Sequence, residues 1–107
     1  MRRFGQTIRV RPESIEAYER LHRETWPGVL GAIHAANIRN YSIYRHEDRL
    51  FAYFEYVGDD FEGDMAAMAA DPTIKAWWAQ TDAMQDPFPE RETGARWLDL
   101  SEVFHTD

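Results

Sequence analysis

The chain has 107 residues, the length of one domain with a modest core, so we predict a single domain over residues 1–107. Its net charge of −7 argues against a nucleic-acid partner and favours a neutral ligand, and the absence of Cys excludes disulfides and thiolate catalysis. No apolar run approaches the ~18 residues that span a membrane, and no signal segment is evident, so we expect no membrane partner and a cytoplasmic location.

The N-terminal third is predicted to contain one strand and one long helix. Arg2 to Val10 alternate loosely between apolar and polar side chains, which is typical of a strand. Pro12 favours the start of a helix, because proline is tolerated in the first turn and the acids that follow complement the positive helix end. We predict that this helix continues to about Ala36 and ends at Asn37, a residue that tolerates the left-handed conformation.

The middle of the chain is predicted to form a β-hairpin. Ile38 to Arg45 and Leu50 to Val57 are rich in β-branched and aromatic residues, and a polar His-Glu-Asp turn separates them. The second of these strands is apolar on both faces, with Leu50, Ala52, Phe54 and Tyr56 on one and Phe51 and Tyr53 on the other. One face therefore needs a cover beyond the helices, and a second copy of the same sheet is the simplest. We expect a homodimer.

The C-terminal half is predicted to contain two helices and a last strand. A helical pattern over residues 58–84 is interrupted at Asp71–Pro72, since the residue before a proline disfavours helix. Asp86 to Gly94 contain two prolines and are predicted to form a loop, and Trp97 to Phe104 alternate as a strand does. The order β-α-β-β-α-β predicts an α+β protein, a ferredoxin-like protomer whose four-stranded antiparallel sheet carries its helices on one face.

His22 lies in the middle of the apolar stripe of the first predicted helix. At about 100° per residue, it shares one arc with Tyr18 and Trp26, while the charged residues fall on the opposite side. Tyr18 and Trp26 each lie one turn away, and each has an apolar ring with one polar tip. Pro27 removes a backbone N–H and clashes one turn back, near Arg23, so a kink there would open space beside His22.

The residues alone leave two interpretations of His22 open. As a structural residue, it would be a buried neutral histidine that donates to a backbone carbonyl or to Tyr18. As a functional residue, it would line a site between aromatic side chains. The other histidines, His34, His46 and His105, have no second histidine or carboxylate at zinc-ligand spacing, so we predict no metal site. Phosphate-loop, nucleophile-elbow and dinucleotide motifs are also absent from the sequence.

Two pairs of neighbours are further candidates for a site. Trp77 and Trp78 are 100° apart on a helix, so one of them can line a pocket while the other packs. Asn40 and Tyr41 point to opposite faces of a regular strand, so only one of them can share a pocket with His22 if that pocket lies wholly on one face. Both choices stay open at this point.

These residues resemble the L-rhamnose mutarotase family. The matching pieces are Tyr18-x-x-x-His22-x-x-x-Trp26-Pro27, Asn40-Tyr41-Ser42-Ile43-Tyr44, Leu50-Phe51-Ala52-Tyr53-Phe54-Glu55, Trp77-Trp78 with Thr81-Asp82, and Glu102-Val103-Phe104. They cover almost the whole chain in order. The resemblance implies a dimeric α+β barrel built from ferredoxin-like protomers, no cofactor, and interconversion of the α and β anomers of L-rhamnose or a related 6-deoxy aldose.

The resemblance also implies that His22 is the acid/base residue. The predicted substrate-binding residues lie in the same motifs: Tyr18, Trp26, Asn40, Tyr41 and Trp77. Trp77 is thus expected in the pocket and Trp78 in packing. A histidine suits mutarotation, because the reaction needs a group that takes and gives protons near neutral pH, and the ordinary histidine pKa is about 6.5.

Two competing functions fit the same architecture. A histidine in an aromatic pocket could ligate haem iron or serve a cofactor-free oxygenase, since fold does not determine function. The chain could also be a small-molecule-binding dimer without catalysis. Replacement of His22 separates these readings, because it would abolish a haem band in the first case and leave anomer exchange unchanged in the second.

Overall fold

A computed structural model describes all 107 residues, and its element order confirms the predicted β-α-β-β-α-β arrangement. The N-terminal half consists of β1 (Arg2–Val10), a short 3₁₀ turn (Pro12–Ser14), α1 (Ile15–Arg23), α2 (Pro27–Ala35), β2 (Ile38–His46) and β3 (Arg49–Tyr56). The C-terminal half consists of α3 (Phe61–Ala70), α4 (Pro72–Met84), β4 (Gln85–Asp86) and β5 (Leu98–Leu100). None of the helices combines the length and the apolar character needed to cross a bilayer.

The sheet is antiparallel and has the strand order β2-β3-β1-β4, with β5 also paired to β1. The predicted last strand, Trp97–Phe104, is wrong in extent, because only Leu98–Leu100 pair with β1. The same edge of β1 is shared with β4, two residues that sequence reasoning assigned to no strand. Pro87 follows β4 directly and has no N–H to continue a ladder, so the chain leaves the sheet there and returns at β5.

The two faces of the sheet have different surroundings. The four β3 residues predicted for one face, Leu50, Ala52, Phe54 and Tyr56, are all buried. Phe51, on the other face, is 40 % exposed. Directly paired residues of an antiparallel sheet share a face, so Phe51 lies in one row with Tyr44, Thr7 and Leu98. A row that is apolar or aromatic except for Thr7 therefore crosses the outer face.

The long first helix of the prediction is interrupted. Helix α1 ends at Arg23, where the clash with Pro27 was expected, but the result is a break rather than a kink. Pro27 is the first residue of α2, a position at which its missing N–H costs nothing. In the gap, the Thr25 hydroxyl donates to the carbonyl of His22 at 2.7 Å, which satisfies an acceptor that the broken helix leaves free.

Two other predicted chain features are confirmed. Asn37 ends the first helical region in the left-handed conformation, with φ 63°. Helices α3 and α4 are separated at Asp71, whose side chain accepts hydrogen bonds from the backbone N–H groups of Thr73 and Ile74 and so caps α4. Helix α4 then packs on α2 through a buried cluster of Val29, Ile74 and Trp77. This packing sets one wall of the cavity described next.

Candidate active site

A cavity of about 460 Å³ lies between the inner face of the sheet and helices α1, α3 and α4. This volume is in the range of small-molecule sites. Four of the predicted site residues line it: Tyr18, His22, Tyr41 and Trp77. The wall is mostly apolar, and its only charged side chains, Asp82 and Arg96, pair with each other. A neutral ligand with both polar and apolar parts suits such a wall.

His22 is held between two aromatic rings and one backbone carbonyl. Its ring stacks on Tyr18, with centroids 4.3 Å apart, and meets the edge of Trp77 at 5.1 Å. Its Nδ1 lies 2.8 Å from the carbonyl oxygen of Tyr18. A carbonyl only accepts, so Nδ1 carries the proton in this contact and Nε2 of the neutral ring carries a lone pair. Burial lowers the pKa of His22, and the bond to the Tyr18 carbonyl opposes that shift in part.

The two interpretations of His22 are therefore compatible. The hydrogen bond to a backbone carbonyl, one of the two partners that the structural interpretation offered, is present. It occupies only Nδ1, however, and it fixes the tautomer that makes Nε2 a proton acceptor. The His22 ring is half-buried and lines the cavity, and its basic nitrogen, Nε2, has no hydrogen-bond partner in the protein. This is the arrangement expected for a general base.

A β-bulge decides between Asn40 and Tyr41. The register shifts between Arg39 and Ser42, so that two residues of β2 oppose the single residue Phe54. Asn40 takes the left-handed conformation, with φ 51°, and its side chain donates to Glu55 at 2.8 Å. Tyr41 turns towards Phe54, with ring centroids 5.4 Å apart, and lines the cavity. The prediction of Asn40 as a pocket residue is not supported by this geometry, because the bulge directs its side chain elsewhere.

Tyr41 lines the cavity, and its hydroxyl is close enough to Tyr18 to be affected by it. Although 39 % of the residue is exposed, burial of the hydroxyl raises the pKa of Tyr41 to about 12, and the nearby Tyr18 adds to the shift. Burial likewise raises the pKa of Tyr18. Both phenols are therefore protonated at neutral pH, and each has an O–H that can donate to a ligand oxygen.

The tryptophans take places that differ in part from the prediction. Trp77 lines the cavity, as expected, but it is only 6 % exposed and belongs to the core between α2 and α4. Trp78 was expected mainly to pack, yet it is 37 % exposed and also lines the cavity. Trp26 is outside the lining and meets the edge of Trp77 at 5.1 Å. Thr81 and Asp82, one turn further along α4, also line the cavity, so this helix presents two adjacent rows of side chains to it.

Three polar residues at the site were not predicted. Gln85 Nε2 lies 3.2 Å from the Tyr18 hydroxyl, and Arg96 Nε donates to Gln85 Oε1 at 3.3 Å. Asp82 Oδ1 lies 3.0 Å from Arg96 Nε. Burial raises the pKa of Asp82, and Arg96 lowers it in part. Asp82 belongs to a quoted motif, but Gln85 and Arg96 come from segments without a recognisable pattern, and only the tertiary fold brings them to Tyr18.

The arrangement combines one proton acceptor with two proton donors around a neutral cavity. Nε2 of His22 can accept, and the hydroxyls of Tyr18 and Tyr41 can donate. No group of three or more His, Cys, Asp or Glu side chains comes together as a metal site would require. Proton transfer on a bound, hydroxyl-rich molecule is the chemistry that these side chains support directly.

Known proteins resemble this chain in sequence and in fold. The sequence pattern of a family described as L-rhamnose mutarotase matches residues 3–106. The chain is similar to an L-rhamnose mutarotase from Ligilactobacillus salivarius, with 34 % identity over 98 % of this chain and 97 % of that protein. Its fold is similar to the crystal structure of an L-rhamnose mutarotase from Formosa agariphila, with a TM-score of 0.78 and 21 % identity over the full length of both chains. The fold is also similar to that of tetracenomycin F2 cyclase from Streptomyces glaucescens, with a TM-score of 0.61 and 17 % identity over 99 % of this chain and 96 % of that one.

Proposed function

Because the chain belongs to the L-rhamnose mutarotase family, we propose that it interconverts the α and β anomers of L-rhamnose and that His22 transfers the protons. Family membership makes the chain an isomerase that exchanges anomers. The observation that carries the role of His22 is its single hydrogen bond. Nδ1 donates to the Tyr18 carbonyl, and the ring lines the cavity, which leaves the Nε2 lone pair free to accept a proton from a ligand.

The reaction follows from this tautomer. Nε2 of His22 takes the proton of the anomeric hydroxyl, the bond between C1 and the ring oxygen breaks, and His22 passes the proton on to the ring oxygen. The aldehyde at C1 then rotates, and the ring oxygen attacks its other face while the protons return along the reverse path. No atom is gained or lost. Proton transfer by one positioned group accelerates a reaction by roughly 10²–10⁴-fold, which suffices because mutarotation already proceeds in water.

A 6-deoxy sugar matches the two kinds of wall in the cavity. Tyr18, His22 and Tyr41 offer polar atoms, whereas Phe61, Met65 and Met68 offer apolar ones. We infer that the methyl group of the sugar lies against the apolar wall, where the hydroxyl of an ordinary hexose would lose its hydrogen bonds. L-Rhamnose is the proposed substrate, and a related 6-deoxy aldose meets the same requirement.

We also propose that the working unit is a homodimer formed through the outer face of the sheet. The row that contains Phe51 begins at Tyr44, which is 68 % exposed. The neighbouring row on the same face, which contains Tyr53, ends at Leu100, which is 46 % exposed. A second sheet is the partner whose shape and apolar character fit these rows. Leu30, 56 % exposed on α2, is a single apolar side chain on the helical side and serves as a contrast below.

The proposal is tested by replacing His22 with alanine and measuring anomer exchange of L-rhamnose by saturation-transfer NMR. We expect a folded variant without catalysed exchange, because the group that moves the protons is gone. His34→Ala is the matched control, since His34 is an exposed histidine of α2. A folded His22→Ala protein with the exchange rate of the unmodified chain would refute the role of His22. Exchange that declines only with the folded fraction would make His22 structural.

A further inference from the structure

A chain of polar side chains connects the Tyr18 hydroxyl to the loop before β5. Gln85 is only 4 % exposed, and its Nε2 lies 3.2 Å from the hydroxyl oxygen. Arg96 Nε donates to the Oε1 atom of the same amide at 3.3 Å. Asp82 holds the guanidinium in place, with Oδ1 3.0 Å from Nε and its backbone carbonyl accepting from Arg96 Nη2 at 3.0 Å. Every link of the chain is therefore within hydrogen-bond distance of the next.

Arginine determines the direction of these hydrogen bonds. A guanidinium has five N–H donors and no acceptor, so the Gln85 atom that it contacts must be the carbonyl oxygen. The atom facing Tyr18 is then the amide nitrogen, which can only donate, and the Tyr18 oxygen accepts. A phenol that accepts this bond keeps its own O–H proton for another partner. Within the protein, the Tyr18 hydroxyl proton has no acceptor.

We propose that Arg96 and Gln85 are positioning residues that keep Tyr18 as a hydrogen-bond donor towards an oxygen of the bound sugar. This inference rests on the proposed function. Ring opening needs a hydrogen-bond acceptor at the anomeric hydroxyl and a donor at the ring oxygen. The stacked side chains of His22 and Tyr18 take these two roles, and a separate hydrogen-bond partner fixes each role. His22 becomes the acceptor through the backbone of Tyr18, and Tyr18 becomes the donor through Gln85. A donor oriented before the sugar arrives needs no rearrangement during the reaction.

Gln85→Glu reverses the hydrogen bond with almost no change of shape. A carboxylate has no proton to donate, so it accepts from Tyr18 and turns the hydroxyl proton away from the sugar. Its ion pair with Arg96 favours a folded variant. Gln85→Met keeps the length of the side chain but leaves the Tyr18 proton free. We expect catalysed exchange to fall roughly 10- to 100-fold in Gln85→Glu, through kcat rather than KM, and only a few-fold in Gln85→Met. A packing role for Gln85 predicts the reverse order.

Three further variants isolate the hydroxyl. Tyr18→Phe should lose about as much activity as Gln85→Glu, and the double variant should lose no more than Tyr18→Phe alone, since both changes act on one proton. Gln80→Glu adds the same charge at an exposed position of α4 and should leave the rate unchanged. Arg96→Lys retains a side chain that only donates and should keep most of the activity, whereas Arg96→Met should not.

The pKa of Tyr18 tests the direction of the bond without any sugar. We would follow it by NMR of tyrosine labelled at Cζ, with Tyr18→Phe to assign the signal. The donor Gln85 lowers the pKa of Tyr18 against the effect of burial, so Gln85→Met should raise it and Gln85→Glu should raise it further. A pKa that falls in Gln85→Met would overturn the inference, and so would wild-type exchange in Gln85→Glu. Absence of exchange in the unmodified protein refutes the proposed function instead, and the titration still decides the direction.

Discussion

The two adjacent tryptophans should respond very differently to truncation. Trp77 is 6 % exposed and packs against Val29 and Ile74, and its ring makes T-shaped contacts with two further aromatic rings. Removal of a core tryptophan costs about 3–5 kcal/mol. The whole chain of 107 residues is expected to be stable by about 5–15 kcal/mol. Trp77→Ala therefore removes a large share of the stability and lowers Tm by roughly 15–30 °C.

Trp78→Ala should cost about 1 kcal/mol, because 37 % of this residue is exposed and it lies outside the core clusters. It removes a cavity wall without removing core packing, so we expect a folded protein with a raised KM for L-rhamnose. Urea unfolding followed by far-ultraviolet circular dichroism gives both free energies, and NMR exchange gives the kinetics. Equal losses of stability in the two variants would refute the assignment of Trp77 to the core. Unchanged kinetics in Trp78→Ala would refute a contact with the sugar.

Two further predictions concern pH and assembly. Burial lowers the pKa of His22 below its ordinary value of 6.5, so the neutral, active ring persists above the lowered pKa, and exchange should fall as pH drops through it. The free energy of unfolding should likewise decline below pH 6.5, because the unfolded chain takes up this proton at a higher pH than the folded chain does. His22→Ala should lack this part of the decline. If the unmodified protein and His22→Ala lose stability identically with pH, the lowered pKa of His22 is contradicted. Phe51→Asp should convert a dimer to a monomer in sedimentation, because it buries a charge in the proposed interface, whereas Leu30→Asp should not. A monomeric unmodified protein at micromolar concentration would contradict the dimer.

The fold was predictable from the sequence because its signals are local. The β-forming composition of β3, the left-handed Asn37 and the helix break at Asp71–Pro72 each depend on a few neighbouring residues, and each is found in the structure. The extent of the last strand was not predictable in this way. The edge of β1 with which this strand pairs is divided between β4 and β5. The alternation in Trp97–Phe104 does not show which of its residues find a free stretch of β1 to pair with.

From the residues alone, the site was predictable only where helical spacing brings residues together, whereas Tyr41 and Trp77 were predicted through the family resemblance. Tyr18 and His22 are one turn apart, and the structure stacks their rings. The choice between Asn40 and Tyr41 depended on a bulge, which exchanges the faces that simple alternation assigns, and its one local sign is an asparagine in a strand. The contact of Gln85 with Tyr18 could not be predicted for a different reason. The two residues are 67 positions apart, and no sequence pattern around Gln85 indicates a site.

The four tryptophans of the chain surround one cavity. Trp77, Trp78 and Trp97 line it, and Trp26 contacts Trp77, while none of the four lies within a strand. Tryptophan fluorescence of this protein is consequently an optical signal from the cavity, from the helices beside it and from the loop before β5, where Trp97 packs against the sheet. A sugar, which does not absorb near 280 nm, could be titrated without any label through the change in emission. A melt followed by tryptophan emission would report the loosening of the cavity walls, and a difference between its midpoint and that of the strand signal would show whether the cavity opens before the sheet unfolds.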